Sequence, residues 1–246
     1  MTMQMLLVGS QRVLLFAANG ERATKLWNYF WKYLPTLFTA ALKYTIPLAL
    51  LSFALGLVIG FIVALMRLSQ IPILVKIAEV YSWIIRGTPL IVQLFIIFYG
   101  LPSIGIILDG FTSGVIGLSI AQGAYNSETI RGAILSIPKG QWEAAKALGM
   151  TPWQMYIHII IPQAATVAVP SLSNSFIGLT KDTSICGILT IKEIFHRGQQ
   201  IVATIYEPML IYLMCALVYL IINTFLTFLQ KAIEKRFSKH IVIANK

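Results

Sequence analysis

The sequence predicts an all-α integral membrane protein with about five transmembrane helices, and three observations predict it. Only 11% of the 246 residues are charged while 57% are hydrophobic, against about 25% charged in a soluble domain. Mean hydropathy is +0.78. Asp, Glu, Lys and Arg are absent from residues 44–66, 87–108, 110–127, 147–180 and 208–230, and about 20 apolar residues carry a helix across the hydrocarbon core. The runs do not alternate apolar with polar as barrel strands would, so each must satisfy its backbone groups internally, as a helix does.

The formal charge of +10 is no sign of a nucleic-acid partner, because Lys and Arg collect in short segments between and after the runs, as the positive-inside rule requires. Cys186 and Cys215 have no metal or redox spacing. Cys215, inside the last run, reads as a packing residue.

Residues 1–35 form a tail expected at the membrane surface. It carries Arg12, Arg22, Lys25 and Lys32 and an interfacial aromatic cluster, Trp27, Tyr29, Phe30, Trp31 and Tyr33. Arg12 interrupts its apolar start and no small-residue cleavage site follows, so no removable signal peptide is expected.

The transmembrane domain is expected at residues 36–230. In its first span, 36–66, Ser52, Gly56, Gly60 and Ala64 repeat every fourth residue and share a face. Such a face lets another helix approach closely in lipid, although small residues are also common in spans generally. The second span is interrupted by Arg86-Gly87-Thr88-Pro89, where proline removes a donor and disfavours helix in the residue before it. Broken helices in transporters often line a path; a plain structural kink reads the same way in sequence.

The third span, 113–135, ends in Tyr125-Asn126-Ser127-Glu128 followed by Arg131. Glu128 and Arg131 are three apart and can neutralise each other on one face, either as an interfacial ion pair or as functional intramembrane charges.

Residues 138–152 predict a helix of two to three turns outside the membrane, with Pro138 at its start and Ala144, Ala145 and Ala147 in its body. Gly149 stands where a left-handed cap belongs, and Thr151-Pro152 begin the next helix. Gln141, Trp142, Glu143 and Lys146 are expected on its outer surface, where it either docks a partner or lies on the bilayer as an amphipathic connector. The fourth span is kinked at Pro162 and Pro170 and carries a polar run, Gln163, Ser171, Ser173, Asn174 and Ser175. The run either lines a passage or bonds to neighbouring helices. The last span, 208–230, leads into a basic tail at 231–246 with Lys231, Lys235, Arg236 and Lys239.

No phosphate-binding loop, zinc-binding His pair or nucleophile elbow is present. The chain is therefore expected to have no catalytic residue, no metal site and no cofactor of its own. Gln93, Asn126, Glu128, Ser173 and Asn174 are expected to contribute to a polar site for a zwitterion. On these residues alone three classes stand: an ATP-driven transporter subunit, an ion-coupled secondary transporter or channel without an ATPase partner, and a scaffold recruiting a soluble enzyme. The second should show an internal repeat, and no clear repeat is visible.

Glu143-Ala144-Ala145, Gly149 six residues after Glu143, and Ile159-Ile160-Ile161-Pro162 resemble the EAA signature of the permease subunits of bacterial ABC importers, with Ile161 where leucine is usual. Over about residues 40–235 the resemblance narrows to the polar amino-acid branch, the histidine, glutamine and cystine permeases. Its RGTPL stands at Arg86 to Leu90, AYxxExxRG at Ala124 to Gly132, QxEAAxxLG at Gln141 to Gly149 and KDTS at Lys181 to Ser184. The stretches RGTPLIVQLFIIFYGLP and GQWEAAKALGMTPWQ are most similar to cystine permeases.

The resemblance implies a type I importer permease fold, in the bacterial inner membrane, for a polar L-amino acid, with cystine the first candidate. It implies two permease copies or a pair of paralogues over two ABC ATPase subunits that bind ATP and Mg, with an extracytoplasmic solute-binding protein. Residues 138–152 would be the cytoplasmic coupling helix, acting through Gln141, Trp142, Glu143, Ala144, Ala145, Lys146, Gly149 and Pro162. With five spans this places the N-terminus outside and the C-terminus in the cytoplasm. The basic residues before the first span run against that orientation, and the C-terminal cluster supports it.

Overall fold

A computed structural model describes the backbone of residues 2–238 and the side chains of residues 20–236; the side chain of Arg12, and residues 239–246 with Lys239, lie outside the described residues. The described residues form helices joined by short turns, with no strand among them: α1 (Thr2–Ala40), a π-helical turn (Ala41–Thr45), α2 (Ile46–Leu68), α3 (Pro72–Gly87), α4 (Leu90–Phe95), α5 (Gly110–Leu135), α6 (Lys139–Ala147), α7 (Pro152–Met155), α8 (Ile161–Asp182), α9 (Ile194–Ile205) and α10 (Pro208–Ser238).

Among the described residues three stretches are long and apolar enough to cross a membrane: Gly20–Leu68, Pro152–Leu189 and Pro208–Arg236. Pro72–Gly87 with Leu90–Ile104 makes a fourth if taken together, bent by 103° at the break expected around Pro89. The fifth expected span is α5. At 26 residues it is about 39 Å long, but it is less apolar because α2, α3, α4 and α8 surround it in place of lipid.

The rod from Gly20 to Leu68 has 49 residues, about 74 Å at 1.5 Å per residue, more than twice the hydrocarbon thickness. Its first part docks on protein. Leu37 and Ala41 are fully buried among Ile194 and Ile201 of α9 and Ile211, Met214 and Val218 of α10. Helix α9 carries no long apolar run and was not expected.

The four small residues of α2, Ser52, Gly56, Gly60 and Ala64, are all buried, and α5 lies against them. A Cβ on Gly56 would stand 2.7 Å from Gln122 Cβ, and one on Gly60 2.9 Å from Asn126 Cβ. Since both numbers rise together, the two helices run in the same direction. Gly123 answers from α5, where a Cβ would meet Ile59 Cγ2 at 2.4 Å. Helix α10 runs against α8: Thr180 donates to Asn223 at 2.6 Å, and Gln230 reaches the Pro170 carbonyl at 3.5 Å.

Candidate functional site

Helix α6 follows from local chemistry at both ends. Gly149 takes φ +72°, the left-handed conformation that costs glycine least. Its N–H donates to the Lys146 carbonyl at 2.9 Å, and the Met150 N–H donates to the Ala145 carbonyl at 3.2 Å, the paired bonds of a Schellman cap. Thr151 then opens the next helix with a reciprocal capping box to Gln154.

Gln141, Glu143 and Lys146 are exposed as expected, and Ala144 and Ala147 are exposed beside them. Trp142, expected on the surface, and Ala145, one of the alanines of the helix body, turn inward. Trp142 is half-buried with its ring edge-on to Tyr156 at 5.4 Å, and Ala145 is buried among Ile134, Met155 and Ile160. They fasten the helix to the bundle, because an amphipathic helix needs one face for its own protein. Gln163 Nε2 adds a hydrogen bond to Gln141 Oε1 at 3.1 Å. Pro162 lies exposed in the first turn of α8, directly after a π-helical turn, Tyr156–Ile160. Leu148 at 79% and Trp153 at 72% exposure complete the uncovered face; single apolar residues without periodicity gave no signal for them.

Glu128 gathers three arginines. Arg131 Nη2 lies 3.1 Å from its Oε2 and Arg86 Nη1 3.4 Å from its Oε1, while Arg67 bonds Oε1 directly. Arg131 was expected from its spacing; Arg67 and Arg86 come from α2 and α3 and share no local pattern with it. Arg86 also stands over the Tyr125 ring at 5.6 Å. Glu128, Arg67, Arg86 and Tyr125, with Glu79 and Trp83, line a cavity of about 490 Å³ beside the helix break. Gln93 ties the break together, Nε2 donating to the Ile85 carbonyl at 2.8 Å and to Thr88 Oγ1 at 2.9 Å.

Deeper in the bundle, Ser175 Oγ lies 3.0 Å from Gln122 Oε1 and 3.2 Å from Asn126 Oδ1. Asn126 is fully buried and its Nδ2 has no partner among the described residues. Gln122 and Ser175 were not among the expected site residues. Gln122 was findable, lying one turn before Asn126 on the same face. Ser173 instead lines an apolar groove with Phe53, Phe176 and Leu229, and Asn174 is exposed. Among the described residues, no hydrogen bond joins any two of Gln93, Asn126, Glu128, Ser173 and Asn174.

Residues 56–239 match the family described as binding-protein-dependent transport system inner membrane component. The chain is 45% identical over 213 residues to the L-cystine transport system permease protein TcyB of Bacillus subtilis, covering 86% of this chain and 89% of that protein. It is 36% identical to the glutamine transport system permease protein GlnP of Escherichia coli, covering 85% and 96%. Among solved structures, a crystal structure of an amino acid ABC transporter with histidines superposes with a TM-score of 0.78 at 34% identity, covering 83% and 95%. An inward-facing MetNI methionine ABC transporter superposes at 0.68 with 21% identity, covering 83% and 95%, a likeness of fold.

Proposed function

This chain belongs to the binding-protein-dependent transport system inner membrane components and is an amino-acid ABC importer permease; from that premise we propose that its cargo is cystine and that α6 couples it to a separate ATPase. The similarity to a cystine permease at 45% identity supports the cargo. The observation that carries the coupling role is α6 itself. It is a capped helix clamped by Trp142 and Ala145, with Glu143, Lys146 and Leu148 left uncovered for a partner.

In this reading two permeases, identical or paralogous, sit over two ABC ATPases that bind ATP and Mg, and a solute-binding protein delivers the amino acid from outside. Closure of the ATPases pushes on α6, the clamp passes the push to α7 and α8, and the spans rock so that access to the cargo alternates. The chain itself performs no hydrolysis. The C-terminus is cytoplasmic and the N-terminus external. Arg67, Arg86 and Arg131 all meet Glu128 near the end of α5 that leads into α6, a concentration of basic residues that supports a cytoplasmic α6.

For cargo contact, Asn126 with Gln122 and Ser175 is the strongest group, because the unpartnered Asn126 Nδ2 is a donor awaiting a carboxylate or carbonyl. Glu128 would receive an ammonium group only by releasing an arginine. Gln93 would join from α4, and Ser173 and Asn174 from the same helix as Ser175, as the two permeases rock.

The test is uptake of labelled cystine by proteoliposomes holding the chain with its ATPase and solute-binding protein. Cystine should be taken up with ATP inside and should outcompete glutamine and histidine. Uptake of glutamine or histidine in preference to cystine would reject the cargo; uptake without any ATPase would reject the coupling role.

A further inference from the structure

Away from α6 and the buried polar group, Lys43, Lys192 and Arg197 line one cavity of about 320 Å³ together with Thr36, Thr39 and Tyr44; Thr36 and Tyr44 supply hydroxyls, while the Thr39 hydroxyl donates to the Pro35 carbonyl at 2.8 Å. Among the described residues none of the three cations has a carboxylate within ion-pair distance. Arg197 donates to Gln200 Oε1 at 2.8 Å. The nearest acidic residue in sequence, Glu193, uses its oxygens elsewhere, accepting from the Phe195 and His196 N–H groups and from Tyr219 Oη.

The cavity is built by the fold. The π-helical turn Ala41–Thr45 presents Lys43 and Tyr44, and such turns inside α-helices occur frequently at functional sites. Within the same turn Thr45 Oγ1 accepts from the Ile194 N–H at 3.4 Å, which ties the start of α9, and with it Lys192 and Arg197, to Lys43.

Its position identifies the occupant. Lys43 is the last charge before the charge-free run 44–66, and Lys192 follows the apolar stretch that ends at Leu189. Both mark the boundary of the hydrocarbon core at the end of the bundle opposite α6. Leu42, 66% exposed, lies beside Lys43 and offers apolar surface to an acyl chain. We infer that this cavity binds the phosphate of an anionic phospholipid headgroup and anchors α1 and α9 to that leaflet. Three cations and the hydroxyls of Thr36 and Tyr44 suit a phosphate, whose oxygens accept several charge-assisted hydrogen bonds.

The experiment titrates the full chain in detergent with phosphatidylglycerol, phosphatidylcholine or inorganic phosphate, reading bound lipid by native mass spectrometry and melting temperature. Phosphatidylglycerol should bind preferentially. Lys192→Gln or Lys43→Gln should weaken it roughly fivefold and the triple glutamine variant on the order of a hundredfold. Equal retention of the two lipids, or an unchanged preference in the two single variants, overturns the inference. So does stabilisation by inorganic phosphate equal to that by phosphatidylglycerol. If the variants instead lose the solute-binding protein while keeping the lipid preference, the cavity is a protein-docking face and the inference also falls.

Discussion

At Gly149 the backbone, φ +72°, sets the chemistry that a side chain must tolerate. A β-branched residue there strains the chain by about 1–2 kcal/mol and tilts the face that carries Glu143. Gly149→Val should therefore insert normally and lose ATP-driven uptake and ATPase retention during purification, while Gly149→Asn, which accepts the left-handed region, should keep most of both. Glu143 is exposed and has no fold role, so Glu143→Lys should reduce retention without lowering the melting temperature. Normal retention in both Gly149→Val and Glu143→Lys would remove α6 from the coupling pathway. Glu128 behaves differently because three arginines converge on it. Glu128→Gln leaves those cations crowded and uncompensated, and should cost about 1–3 kcal/mol, visible as a lower melting temperature in detergent.

Between elements, the α2–α5 contact is set by missing atoms. Gly56→Ala and Gly60→Ala place a Cβ against Gln122 and Asn126 at 2.7 and 2.9 Å, too close without moving a helix, so each should cost about 1–3 kcal/mol by overpacking. Thermal unfolding that is unchanged in both would mean the helices are free to separate. The start of α9 depends on Glu193, a buried carboxyl that burial pushes above the ordinary carboxylate range. A raised folded value means its contribution is full below the ordinary carboxylate pKa and is lost as pH rises through the raised one. The melting temperature of the wild type relative to Glu193→Gln should accordingly fall across that rise, and a pH-independent difference would show that Glu193 does not titrate there.

For the whole molecule, an odd number of crossings puts the two ends on opposite sides. A reporter joined near Lys25 should be external and one after Lys239 cytoplasmic, by the location of the arginine cluster near α6 and the C-terminal basic residues. Finding both reporters on one side would exclude five crossings.

The sequence by itself determined the membrane class, the break at Pro89, the small face of α2, the cap at Gly149 and the family, because each depends on local composition or on spacing within a few turns. It also made the Glu128–Arg131 pair legible, since i to i+3 neighbours meet on any helix. What it could not supply were contacts across helices. Arg67 and Arg86 reach Glu128, Ser175 reaches Gln122 and Asn126, and Lys43 shares a cavity with Lys192 and Arg197 only because α2, α3, α5, α8 and α9 are brought together. The same limit explains Trp142 and Ala145. Helical periodicity gives two faces to α6, and only packing against Tyr156 and Ile160 decides which one the protein keeps for itself.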